Sequence, residues 1–237
     1  MLQSLKSDLR KLATPKKAKA SEWFFKTGPG QYGEGDQFIG VTVPKQRSVA
    51  KKYKDLPLSQ AKQLLKSPIH EERLVALIIL VERFKSTGQW SDDKNQKEIY
   101  DCYLANTDRV NNWDLVDSSA GYIVGTYLLD KPRDILYKLA KSENIWERRI
   151  AMIATSAFID KGDPEDTLKI AETLLTDKHD LIHKAVGWML REVGKRCGEK
   201  SLIDFLDKHA STIPRTTLRY AIERFPEEKR QRYLKTK

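Results

Sequence analysis

Apolar positions along the chain recur with a helical period. In "EERLVALIILVERF" (71–84), Leu74, Leu77, Ile78 and Val81 fall at i, i+3, i+4 and i+7, the spacing that gathers side chains into one buried stripe. "WERRIAMIATSAFI" (146–159) and "LIHKAVGWMLREVG" (181–194) follow the same rule. Between them stand stop-and-start signals: "SP" at 67–68, "DKP" at 130–132, "KGDP" at 161–164, "STIP" at 211–214 and "FP" at 225–226. Proline suits the first turn of a helix and disfavours helix in the residue before it. With no alternating strand run anywhere, the pattern predicts an all-α chain.

The helices also resemble one another. Arg73, Asn112, Arg149 and Lys184 each open a run of small and apolar residues, "RLVALII", "NWDLVDS", "RIAMIAT" and "KAVGWML", at intervals of 39, 37 and 35 residues. A shorter helix fits in each interval. A helix pair repeated every 35–40 residues is the mark of an α-solenoid of HEAT-like repeats, whose second helices line one concave inner surface. The expected organisation is a single repeat domain over 1–237, with N-terminal helices in 1–26, a Gly-rich loop in 27–43 and stacked helix pairs in 44–237. That loop lies in "KTGPGQYGEGDQFIGVTVP" (26–44), whose five glycines and two prolines rule out an uninterrupted helix. Its glycine spacing matches no nucleotide-binding fingerprint. It reads as a loop in contact with DNA, the alternative being a flexible surface loop.

The chain is strongly basic. A balance of 43 Lys+Arg against 33 Asp+Glu gives a net charge of +10. Residues 1–20 hold six basic residues and one acid, and "KQRSVAKKYK" (45–54) holds five basic residues and no acid. Such a surplus suits a polyanion, since phosphate contacts release condensed counterions; the concave face is therefore expected to be a basic cleft. Hydrophobic residues at 40% fit a soluble globular chain, and no apolar run approaches the roughly 20 residues that span a bilayer. "MLQSLKSDLRKLATPKKAKA" reads as a first helix rather than a signal peptide. Cys102 and Cys197 are far apart, which argues against a disulfide framework or zinc site and fits a reducing compartment. No metal site and no membrane association are expected, and the location expected is cytoplasmic.

Three of the candidate inner helices carry a tryptophan with a charge one turn later: Trp113 with Asp117, Trp146 with Arg149, and Trp188 with Arg191. Both spacings place the pair on one helix face. Three such pairs on one surface point to a binding cleft, although any single pair serves equally as a core anchor beside a snorkelling charge. Asp114 falls in a first turn after the N-cap "NN", where a carboxylate complements the helix dipole. Asp117 lies deeper, on the Trp113 face, and needs either a cationic partner or a chemical role. A carboxylate stabilises the oxocarbenium-like transition state of glycosylic bond cleavage, while a second acid usually protonates the leaving group. One carboxylate suffices where the leaving group is already cationic, as an alkylated purine is. Tryptophan faces attract cations and arginines hold phosphates.

"WDLVDS" (113–118), "NIWERRIA" (144–151) and "IHKAVGWMLRE" (182–192) resemble the motifs of the AlkD-type DNA alkylation-repair glycosylases, which are built from HEAT-like repeats, and "GVTVPKQR" (40–47) after "WFF" (23–25) is a weaker match. The resemblance runs from about residue 20 to 225. It implies a DNA glycosylase for base excision repair, releasing 3-methyladenine and 7-methylguanine from duplex DNA as a monomer without metal or cofactor. It further implies Asp117 as the catalytic carboxylate, Trp113 and Trp188 against the sugar and the cationic base, and Arg149 on the backbone near the lesion. Arg47, Lys184 and Arg191 follow as phosphate contacts. Phe24 stands at a DNA-contacting position that is tyrosine in better-matched relatives, and the 26–39 segment is longer and richer in glycine than the family pattern. The competing readings are a non-catalytic binder of damaged or branched DNA and a HEAT-type protein adaptor.

Overall fold

A computed structural model of the chain describes residues 1–86, 92–209 and 211–235. These residues are helical apart from turns, extended linkers and one isolated bridge between Gln37 and Ile69. The all-α class is as the periodicity predicts, and no described helix is long and apolar enough to cross a membrane. The chain divides into two compact units, Met1–Ile123 and Val124–Lys237.

The first unit contains α1 (Leu2–Lys11), α2 (Pro15–Phe24), α3 (Val43–Lys52), α4 (Leu58–Leu65), α5 (His70–Lys85), α6 (Asp93–Leu104) and α7 (Trp113–Asp117). Proline opens α2 and lies within the first turn of α3, where its missing N–H costs nothing. Helix α5 is the centre of the unit: α3 and α4 pack on it, and it reaches α6 and α7. Fourteen of its sixteen residues are buried, so it is a core helix enclosed on all sides rather than a striped surface helix.

The second unit contains α8 (Asp134–Ala140), α9 (Ile145–Ala154), α10 (Ser156–Ile159), α11 (Glu165–Leu174), α12 (Asp180–Arg196), α13 (Glu199–His209), α14 (Arg215–Ala221) and α15 (Glu227–Lys235). Helices α9 and α12 lie together, with α8 against α9 and α11, α13 and α14 against α12. This is the paired-helix arrangement that the repeat spacing anticipated. The α12–α14 contact depends on Gly187, where a Cβ would lie 2.5 Å from the Thr217 carbonyl oxygen. Since that neighbour is backbone, Gly187→Ala must separate the helices. The expected cost is about 2 kcal/mol, on the scale of overpacking a tight core. Chemical denaturation checks it: a lower midpoint with an unchanged slope is expected.

The Gly-rich segment is a correction to the flexible-loop reading. Between α2 and α3 the chain makes several turns and buries Asp36, Phe38 and Val41. Gly40 adopts φ +78° directly against α2, where a Cβ would lie 2.2 Å from the Thr14 carbonyl oxygen. Glycine is required there twice over, for the left-handed backbone and for the close approach.

Candidate functional site

Helix α7 is short for local reasons. Asn112 is extended and its Oδ1 accepts from the Trp113 amide at 2.9 Å, capping the first turn. At the other end the Ser118 and Ser119 hydroxyls both donate to the Leu115 carbonyl, competing with the backbone for that acceptor. The α-helix stops at Asp117, and the chain continues into a π-helical turn over Gly121–Gly125. Trp113 and Asp117 are therefore the first and last residues of a single turn, on one face, rather than members of a long inner helix.

That face forms one wall of a cleft of about 350 Å³. Trp113, Asp114 and Asp117 meet Arg47, Lys85 and Tyr122 across it. The Lys85 ammonium sits over the Tyr122 ring, 3.4 Å from its centroid. Burial is the main cause that pushes the Lys85 pKa down; Arg47 adds to the shift and Glu82 opposes it. Arg47 and Lys85 also line an adjoining cleft of about 760 Å³ that contains Lys51 and Lys54. The cations predicted in "KQRSVAKKYK" thus border a groove that opens beside Asp117.

The indole of Trp113 rests on an aromatic stack. Phe25 stacks on it at 5.4 Å and Phe24 meets it edge-on at 5.9 Å. Phe38 then stacks on Phe25 at 5.1 Å. Phe24 itself is half exposed, and the neighbouring Trp23 is 73% exposed with the Lys26 ammonium 4.8 Å from its ring centroid. Quadrupolar ring pairs of this kind orient an aromatic as well as burying it.

Beneath the aromatic layer lies a charge network that sequence reasoning missed. "HEER" (70–73), the first turn of α5, is buried in full, and each residue is committed elsewhere. His70 Nδ1 lies 2.8 Å from an Asp36 oxygen and its Nε2 lies 2.8 Å from an Asp114 oxygen. Glu71 accepts from the amides of Ile39, Gly40 and Val41 at 2.7–3.2 Å. Glu72 pairs with Lys6 at 2.8 Å and with Arg10 at 3.7 Å. Arg73 donates to Asp36 at 2.6 Å and to the carbonyls of Ser67 and Pro68. Burial pushes the His70 pKa down, but Asp114 and Asp36 outweigh it and raise the value to about 9. Burial likewise works to raise the Asp36 pKa, and His70 and Arg73 hold it below the ordinary carboxylate range. Asp114, read from sequence as a dipole-complementing acid, is thus tied down by a buried cation. The signal was present: a helix apolar on every side must bury its polar opening as well, and buried charges come paired.

The second unit holds the other predicted residues. Trp146 is buried and is a core anchor, which corrects its reading as one of three cleft-lining tryptophans. Arg149, also buried, donates to the Leu181 carbonyl and joins α9 to the start of α12. Trp188 is partly exposed on α12. Lys184 pairs with Asp180 at 2.8 Å, and Arg191 pairs with Glu223 and Glu192. Two of the cations predicted to meet phosphate, Lys184 and Arg191, therefore have acidic partners in the protein alone.

Residues 5–225 match the profile of a family described as DNA alkylation repair enzyme. No curated protein sequence matches the chain significantly. Among solved structures, a "predicted DNA alkylation repair enzyme" from Enterococcus faecalis superposes with a TM-score of 0.69 at 16% identity. The match covers 91% of this chain and 97% of that one, and shows a shared fold.

Proposed function

Because this chain belongs to the DNA alkylation repair enzyme family, we propose that it is a monofunctional DNA glycosylase. It hydrolyses the N-glycosylic bond of cationic alkylated purines, 3-methyladenine and 7-methylguanine among them, in duplex DNA, as a step of base excision repair. The observation that carries this reading is the juxtaposition of the Trp113 face and the Asp117 carboxylate in a cleft lined by Arg47 and Lys85, which adjoins a second cleft lined by Lys51 and Lys54.

The chemistry follows from those groups. An alkylated purine departs with the electron pair of the C1′–N bond and becomes neutral, so no general acid is needed. Positive charge then builds on the deoxyribose, where the Asp117 carboxylate opposes it in a partly desolvated wall. Water attacks C1′ and its proton passes to bulk solvent, leaving an abasic sugar. Trp113 offers a π face to the sugar and the cationic base, and its stacking on Phe25 fixes the angle at which that face is offered. On the second unit, Trp188, Arg149, Lys184 and Arg191 are assigned to contacts with DNA. Arg47 and Phe24 contact DNA on the first unit. The protein acts as a monomer in the cytoplasm, with neither metal nor cofactor, and without a strand-cleaving step.

A non-catalytic binder of damaged or branched DNA is the second reading, and the basic groove is compatible with it. The two are separated by free base in the supernatant of methylated duplex DNA: the glycosylase releases it, the binder does not. Binding itself is tested through salt. Each phosphate neutralised contributes about 0.9 to the slope of log K against log salt. The Lys51→Ala, Lys54→Ala double variant is expected to lower that slope by about 2 without altering the preference for alkylated DNA. An unchanged slope would remove the adjoining groove from the DNA interface.

A further inference from the structure

The proposed function uses Trp113 and Asp117 and leaves the network behind them without a task. Helix α7 spans five residues, too few to hold its own geometry in water. It is nevertheless the element on which both groups must be placed. Three contacts fix its first turn. Asn112 caps the Trp113 amide and reaches Asp36 through its side-chain nitrogen at 3.4 Å. His70 holds Asp114 at 2.8 Å. Phe25 lies between the Trp113 indole and Phe38, and both phenylalanine rings cover the imidazole, at 4.9 and 4.6 Å.

Resting on the glycosylase reading, we propose that Asp36, His70 and Asp114 form a charge chain that positions the Trp113–Asp117 turn, with His70 acting as a doubly hydrogen-bonded imidazolium. Both ring nitrogens face carboxylate oxygens, so only the cation donates to both. The charged groups around the ring are Asp36 from the Gly-rich segment, Arg73 from its own helix and Asp114 from α7; its remaining cover is aromatic. Arg73 neutralises part of Asp36, so the imidazolium charge is left to serve Asp114.

Two consequences follow. Asp114 and Asp117 line the same cleft, and two carboxylates there would share an approaching sugar cation. With Asp114 held by an imidazolium, the field at the sugar is set by Asp117. The Gly-rich segment, through Asp36, becomes part of the site even where its backbone never touches the substrate. None of the three residues is a catalytic residue; each acts through the placement of Trp113 and Asp117.

The chain is tested by pH. A cationic His70 with a pKa near 9 keeps base release nearly level up to about pH 8 and lets it fall as pH rises through 9. Asp36→Asn removes one of the two carboxylates. It is expected to move that alkaline limb down by about one pH unit, while KM for alkylated duplex at pH 7 stays within twofold. His70→Gln is expected to lower kcat by about 10- to 100-fold and to abolish the limb. In parallel, the Trp113 indole N–H resonance of the wild type should shift with the His70 titration and follow the same displacement in Asp36→Asn.

An alkaline limb that stays at the same pH in Asp36→Asn overturns the proposal. So does a Trp113 resonance indifferent to His70 titration. A variant that loses activity equally at every pH, with thermal stability falling in step, assigns the residues to folding alone and also overturns it. If wild type releases no base at any pH, the glycosylase reading fails, and the Trp113 resonance still decides whether the chain exists.

Discussion

Asp117→Asn is expected to slow release of 7-methylguanine from duplex DNA by at least about 100- to 1,000-fold in single-turnover assays, with Kd for the same DNA changed less than threefold. The size follows from what the carboxylate does. An anion placed in advance where charge develops contributes to the transition state far more than to the ground state, and losing one such contact costs two to three powers of ten. Asparagine keeps the shape and the acceptor oxygen but not the charge, so binding, which depends on the basic groove, is spared. Asp114→Asn is the informative companion: its carboxylate meets His70 rather than the sugar, and a loss smaller than that of Asp117→Asn is expected. Equal losses would mean that the two acids share the charge, contrary to the separation drawn between them.

The second large effect concerns stability. Glu71→Ala is expected to destabilise the first unit by about 3–5 kcal/mol, seen as an earlier unfolding transition by calorimetry, whereas Glu71→Gln should cost about 1–2 kcal/mol. The carboxylate of Glu71 is buried and accepts from three consecutive amides of the Gly-rich segment, those of Ile39, Gly40 and Val41. Alanine leaves three donors without an acceptor, each carrying a desolvation penalty of about 1–3 kcal/mol that local hydration only partly offsets. Glutamine retains one acceptor oxygen and so retains part of the anchor. Because Phe38 and Asp36 ride on the same segment, Glu71→Ala should also lower activity even at temperatures where the protein stays folded. An unfolding profile identical to wild type would contradict the anchoring role.

His70 adds a pH term with a definite sign. Its folded pKa, about 9, lies above the ordinary value of 6.5. The folded state therefore binds the proton more tightly than the unfolded one. The stability this contributes is fully present below about pH 6.5 and is lost as pH rises through 9. Asp36 works in the opposite range: its depressed pKa contributes stability above its ordinary value of 3.8 that is lost as pH falls through the folded value.

Much of this molecule was legible in the residues, and the rest was hidden for identifiable reasons. The stripe Leu74–Leu77–Ile78–Val81 became α5, the stretch at 181–194 lies within α12, and the stretch at 146–159 is divided between α9 and α10; the proline signals at 67–68 and 211–214 lie between helices as expected. Local periodicity carries that information because a helix face is a local property. The cleft around Trp113 and Asp117, with Arg47 and Phe24 beside it, likewise gathers residues singled out from sequence. What stayed hidden was non-local. Nothing in "KTGPGQYGEGDQFIGVTVP" states that Asp36 will meet His70, because the meeting depends on where α5 begins to be covered. The same holds for Trp146, whose spacing to Arg149 is that of a cleft pair but whose helix turns it inward. The end of α7 was not legible for a subtler cause. Ser118, Ser119 and Gly121 weaken the helix just where the apolar pattern continues, and periodicity outvoted them.

The central claim is hydrolysis of a glycosylic bond, and product analysis on a defined substrate tests it most directly. A duplex carrying one 7-methylguanine is incubated with excess wild-type protein, and the bases and strands are resolved by mass. Free 7-methylguanine together with a full-length strand bearing one abasic sugar, and no nick until base or heat is added, is the predicted result. An intact adduct, still bound by the protein in a salt-sensitive complex, would contradict it.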